Sequence, residues 1–274
     1  MPPHSVPLLT DRKALALHRA RALAQGAELF LHEDAADEIQ QRLGEVNRRF
    51  TAPALVSGFP DFWRGVVPGA RMVADEDRLD LAEGAHDLVI HAMALHWAND
   101  PVGQIVQCRR ALVPDGLFLG VLFGGQTLAE LRAALAEAEV ALTGGLSPRV
   151  LPMGEIRELG GLLQRAGLAL PVADAAVRTV HYRDLWHLIR DLRGMGETNA
   201  LAARRPGPLP RPVLARAAQV YADSFPAPEG RIRASFETIF LTGWAPHEDQ
   251  QQPLPPGSAT RRLADALRIP GSGG

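Results

Sequence analysis

Hydrophobic positions recur at helical spacing over roughly the first fifty residues. Leu15, Leu17, Ala20, Leu23 and Ala24 form one stripe that continues to Leu29 and Phe30. Ala35, Ile39, Leu43 and Val46 form a second, which ends near 47–50. Spacing of three and four predicts two amphipathic helices. After residue 50 the pattern changes to short, wholly apolar runs. Residues 54–57, 71–74 and 86–92 read as buried strands, and Pro60 suits a first helical turn. A helix over 101–112 leads to a turn at 113–116 and a strand over 117–123. Strand and helix alternating in this way predict a parallel sheet with both faces covered.

Gly124 and Gly125 follow that strand, and Thr127 with Glu130 three residues later has the form of a capping box opening a helix over 128–142. Gly144 and Gly145 stop it. A helix over 153–166, a strand over 177–182 and a mostly helical stretch over 186–225, broken by prolines at 206–212, come next. Residues 232–244 alternate and read as the last strand. The expected organisation is therefore N-terminal helices (1–50), an α/β domain (51–249) with a helical insertion at about 186–225, and a polar, Pro/Gly-rich tail (250–274) with an amphipathic piece at 261–268.

Composition narrows the function classes. The chain has 274 residues, is 46% apolar and carries a formal charge of -2, so it can bury a sizeable core and lacks the basic excess of a general nucleic-acid binder. No apolar run reaches the length of an integral membrane span. The single cysteine rules out an internal disulfide and points to a reducing compartment. Cys108 shares a predicted helix face with Val102, Ile105 and Leu112, which assigns it to the core. Arg12, Lys13, Arg19 and Arg21 imitate a transit peptide, but the stripe between them reads as a folded helix. His91, His96 and Asp100 have the composition of a two-histidine, one-carboxylate metal site, yet His91 lies inside a strand and no metal is expected. His181 and His187 beside Asp184 meet no spacing rule, and no P-loop, nucleophile elbow or zinc pattern is present. Asp61 disfavours a pyrophosphate at its helix N-terminus.

The stretches 11–22, 87–100, 114–118, 123–132, 194–199 and 243–247 carry a resemblance. The chain resembles class I S-adenosylmethionine-dependent methyltransferases, and among them the methyltransferase-like mitochondrial and alphaproteobacterial complex I assembly factors. Carboxyl methyltransferases of biotin synthesis share the 95–97 region more distantly. The resemblance implies a Rossmann-like methyltransferase sheet, S-adenosylmethionine as cofactor, a complex I subunit as protein client and a location in the bacterial cytoplasm or the mitochondrial matrix. It also brings in arginine hydroxylation, which is credited to the assembly factor. Cofactor contact is expected from Ser57, Gly58, Asp75, His96 and Trp97. A client or substrate surface is expected from Gly124, Gly125, Thr127, Glu130, Arg132, Glu197 and Asn199.

One region departs from the family. A glycine-rich turn should follow the first strand, because backbone must approach the cofactor where a side chain would collide with it. Here only Gly58 remains, followed by Phe59 and Pro60. Residues 58–86 number 29, whereas one βαβ unit takes roughly 30 and two strands and two helices should fit here. The expectation is that one strand-helix unit, with its ribose-binding acid, is missing and the cofactor loop is degenerate. The alternative is an active methyltransferase with a remodelled pocket.

Overall fold

A computed structural model describes residues 8–205 and 207–250. Two helices, α1 (Arg12–Gln25) and α2 (Phe30–Glu45), precede the sheet. The strands that follow are β1 (Pro53–Ser57), β2 (Arg71–Ala74), β3 (His86–Ala92) and β4 (Leu112–Phe123), with the single-turn α3 (Pro60–Trp63) between β1 and β2 and α4 (Pro101–Ala111) between β3 and β4. Helices α5 (Ala129–Thr143) and α6 (Ile156–Arg165) lead to β5 (Ala169–Tyr182). Then come α7 (Leu185–Gly194), α8 (Arg211–Ser224), the two-residue β6 (Pro226–Ala227) and β7 (Arg231–Trp244). None of the described helices is long and apolar enough to cross a membrane.

The strands lie in the order β2-β1-β3-β4-β7-β5, with β6 on β7. The first four are parallel, and β7 inserts antiparallel between β4 and β5. Side chains alternate between faces along each strand. Leu55, Leu88 and Ile90 join a core with α2, α5 and α8, while Ala54, Val56 and Val89 join one with α4 and α6. This is the doubly covered, Rossmann-like sheet that the alternation predicts. The sheet ends at β2, and neither the β1–β2 nor the β2–β3 connection contains more than one helical turn.

Some local expectations are corrected. Along α1 the buried residues are Leu15, Arg19 and Ala22, whereas Leu17 and Leu23 are exposed. A buried arginine does not register as core in a hydrophobic pattern, which turns the apparent stripe about half a turn from the buried face. Strand β4 begins at Leu112 and runs through the expected turn, with Asp115 at φ 60° and the register against β3 slipping between His86 and Leu88. Strand β5 is longer than its apolar run, because β7 supplies backbone partners along nearly all of it, apart from an irregularity at Leu170 and Pro171. Thr127 is not the cap of α5. Leu128 stands there at φ 55° without a side-chain bond, while the Thr127 hydroxyl donates to the Glu237 carbonyl at 3.0 Å and accepts from its amide at 3.0 Å. Glu130 likewise turns to Ser235 instead of closing a capping box. In both, a tertiary partner on β7 displaces the local bond. The 261–268 segment and all but Gln250 of the 250–274 tail lie outside the described residues.

Candidate functional site

In an open α/β sheet, ligands bind beyond the carboxyl ends of the strands, where the strand order reverses. Here that point lies between β1, which ends at Ser57, and β3, which ends at Ala92. Ser57 is buried, and its hydroxyl accepts the Phe59 amide at 3.1 Å. Gly58 comes next. A Cβ built on it would lie 2.3 Å from both Cζ and Nη1 of Arg19. The guanidinium of α1 thus occupies the space over the glycine that a ligand would need.

Arg19 is 6% exposed. Its Nη1 donates to both carboxylate oxygens of Asp75, at 2.9 and 2.8 Å, and Arg12 approaches the same carboxylate at 3.5 Å. Its Cζ stands 5.9 Å from the Phe59 ring centroid. Asp75 directly follows the strand next to β1, so the acid at this crevice is already held by two of the chain's own cations. Gly196, at φ 74°, lets the chain after α7 pass over Arg19, since a Cβ there would meet the Arg19 Cα at 3.1 Å. Leu15, Trp97, Leu151, Ala200 and Leu201 form a small core that pins α1 in place. Beneath Phe59, the buried His32 accepts the Trp63 indole N–H at 3.1 Å, and burial lowers its pKa to about 4.

A second group lies beyond β3. Trp97 Nε1 donates to Glu197 Oε2 at 2.6 Å, and His96 Nε2 reaches the same oxygen at 3.3 Å. His96 Nδ1 faces the Phe123 amide at 3.5 Å. Burial acts to raise the Glu197 carboxyl, but the fields of His96 and Arg19 and the bonds from His96 and Trp97 outweigh it and hold the group below its ordinary value. A cavity of about 130 Å³ opens beside Glu197, walled by Trp97, Phe123, Leu131, Met153, Leu192 and Phe236.

The expected site residues thus fall into three sets. Ser57, Gly58 and Asp75 gather round Arg19. His96 and Trp97 belong with Glu197. The stretches 123–132 and 194–199 meet at the cavity through Phe123, Thr127, Leu128 and Leu131 on one side and Met195, Glu197 and Asn199 on the other. Several partner-surface residues have internal tasks. A Cβ on Gly124 would strike Ile239 Cδ1 at 2.5 Å, and one on Gly125 would strike Glu155 Oε1 at 2.5 Å, so these glycines admit the chain's own side chains. Arg132 reaches the Thr127 and Leu151 carbonyls, and Asn199 donates to the Pro148 carbonyl at 2.8 Å. His91 bonds Gln104 at 2.7 Å, Asp100 caps α4, and Asp184 caps α7 with His187 beside it. The hydrophobic pattern does not mark Arg19 as a site residue. The available signal was a charged residue four positions from Leu15 and three from Ala22, on the face that packs.

Residues 52–120, spanning β1 to most of β4, match the family model described as a methyltransferase domain. The chain is 36% identical over 203 residues to the zebrafish (Danio rerio) protein named arginine-hydroxylase NDUFAF5, mitochondrial, covering 74% of this chain and 63% of that one. The human protein of the same name is 39% identical over 203 residues, covering 74% and 59%. Residues 52–120 carry a methyltransferase domain of the class I type. A malonyl-[acyl-carrier protein] O-methyltransferase from Xylella fastidiosa is 34% identical over 179 residues, covering 65% of this chain and 58% of the relative. The methyltransferase-fold chain therefore spans about three-fifths of the length of these relatives. A putative methyltransferase structure from Bacillus halodurans superposes with a TM-score of 0.49 at 11% identity, covering 77% and 99%.

Proposed function

We propose that this methyltransferase-like protein acts in the assembly or modification of a respiratory complex I subunit, and that its cofactor seat is closed by its own N-terminal helix. The observation that carries the second part is Arg19 lying over Gly58 with its Nη1 donating to both carboxylate oxygens of Asp75. A class I methyltransferase offers S-adenosylmethionine bare backbone after its first strand and a free carboxylate on the neighbouring one. Here the backbone is covered by a guanidinium, Phe59 and Pro60 follow, and the carboxylate is neutralised. These residues do not fit the cofactor. The sheet ending at β2 supports the loss of one strand-helix unit, because no further strand supports the adenine side.

The likeness to mitochondrial arginine hydroxylases supports a protein client. The same likeness supports a location in the mitochondrial matrix or, for a bacterial source, the cytoplasm. The docking region is the one built from 123–132 and 194–199, with Gly124, Gly125, Thr127, Glu130, Arg132 and Asn199 shaping its walls and Glu197 facing the cavity. A second reading, an active methyltransferase with a remodelled pocket, is favoured by the domain match over 52–120.

Isothermal titration with S-adenosylmethionine and S-adenosylhomocysteine separates the two. The expected result is no heat at millimolar ligand, and micromolar binding by the purified protein would establish the second reading instead. Capture of complex I subunits by the tagged protein in its native host tests the client.

A further inference from the structure

We propose that β5 is the contact between two copies of this chain, which pair antiparallel about Ala176 into one continuous sheet. Strand β5 is the last in the order β2-β1-β3-β4-β7-β5, and among the described residues no strand lies on its outer side. From Val172 to Tyr182 its register with β7 is unbroken. Every second residue therefore turns its backbone N–H and C=O away from β7. Residues 175–179 are all exposed, although successive side chains point to opposite faces, so neither helical layer covers the middle of the strand. Val172 and Val177 are 55% and 61% exposed.

Edge strands that stay single usually carry a lysine, a proline or a bulge that stops a second chain from pairing. Between Val172 and Tyr182 there is no lysine, proline or register shift, the one irregularity lying before Val172. Charge then selects the occupant. Asp174 and Arg178 are four residues apart and share a face, where Asp174 meets Arg42 of α2 at 2.6 Å and Arg178 meets Asp34 of the same helix. Both stay accessible, their side chains 40% and 50% exposed. A twofold axis normal to the sheet at Ala176 lies two residues from each, so it sets Asp174 of each copy opposite Arg178 of the other. Asp34 and Arg178 of one copy then continue into Asp174 and Arg42 of the other, with alternating sign. On the opposite face Ala175 meets Val177. Moving the axis to Asp174 or to Arg178 would set like charges against each other, which destabilises a pair of strands, and moving it to Ala175 or Val177 leaves both charges opposite uncharged residues. The edge is thus complementary to itself in one register, which favours a second copy over an unrelated extended segment.

Sedimentation velocity of the full chain tests this. The wild-type protein is expected to form a dimer that dissociates on dilution through the micromolar range. Arg178→Asp sets two pairs of acids face to face across the axis and Asp174→Arg sets two pairs of bases, so each variant alone is expected to dimerise at least about tenfold more weakly. Mixed in equal amounts, the two restore opposite charges at both contacts, and the mixture is expected to regain the dimer. Cys108 is buried, so a thiol placed on the strand is the reactive one. Ala176→Cys, on the axis, should cross-link two copies under mild oxidation, whereas Val172→Cys, which faces Val180 of the other copy, should not. A chain that stays monomeric at about 100 μM would overturn the proposal and leave the edge to another segment. So would a dimer indifferent to both charge variants, a mixture of natively folded variants that fails to regain it, or cross-linking at position 172 in place of 176.

Discussion

Replacing Arg19 with methionine keeps the aliphatic stem of the side chain and removes the guanidinium from over Gly58. Asp75, 6% exposed, would lose two charge-assisted bonds at 2.9 and 2.8 Å and retain only Arg12, which stands at 3.5 Å and is partly exposed. Breaking a buried pair by deleting one partner costs about 3–5 kcal/mol. Two features reduce this. Arg12 still offsets part of the Asp75 charge, and Arg19 Nε and Nη2 have no partners, so removing them relieves a penalty already present. The expected loss is about 2–3 kcal/mol, which for a chain of this size lowers Tm by about 4–12 °C. Asp75→Asn should cost a similar amount by stranding the Arg19 charge. In the double variant neither charge is stranded, so its loss should fall short of the sum by about 2 kcal/mol. Urea denaturation with an unchanged m-value measures all three. If the two losses add to within about 0.5 kcal/mol, the pair is not coupled and the account of a locked seat fails.

Phe59→Gly should leave S-adenosylmethionine binding undetectable by calorimetry, because Arg19 still covers Gly58; micromolar affinity in this variant would show that the ring alone was the obstacle. Burial lowers His32 and His91 to about 4 from an ordinary 6.5, so the unfolded chain binds more protons between those values. Stability should be full above pH 6.5 and fall toward pH 4, and a Tm flat over that window would refute the assignment. Cys108 is fully buried and its thiol is pushed well up by that burial, so it should resist a thiol reagent such as DTNB until the chain unfolds; fast labelling of native protein would place it elsewhere. Thr127→Val should cost about 1–3 kcal/mol in urea denaturation by stranding the Glu237 amide, whose carbonyl keeps the Gly124 N–H, and a neutral result would mean that water replaces the lost bond.

Periodicity alone determined the order of most elements, because apolar runs such as 54–57 and 86–92 must be buried on both faces wherever they lie, and an alternating series of strands and helices has few ways to do this. It also marked β7, whose alternation follows from its place in a sheet. What α1 does was decided only by tertiary structure. Its buried face contains an arginine, and a charge reads as solvent-facing until Asp75, distant in sequence, is brought beside it to balance the charge. The same holds for Thr127 and Glu130, whose spacing satisfies a local capping rule while their bonds go to β7, more than a hundred residues away. The short stretch between Ser57 and Asp87 was legible in the sequence, since its 29 residues are too few for two full strand-helix units. That the space over Gly58 is filled from within the molecule depends on where α1 packs, and packing against Trp97, Leu151 and Leu201 is a property of the folded chain alone.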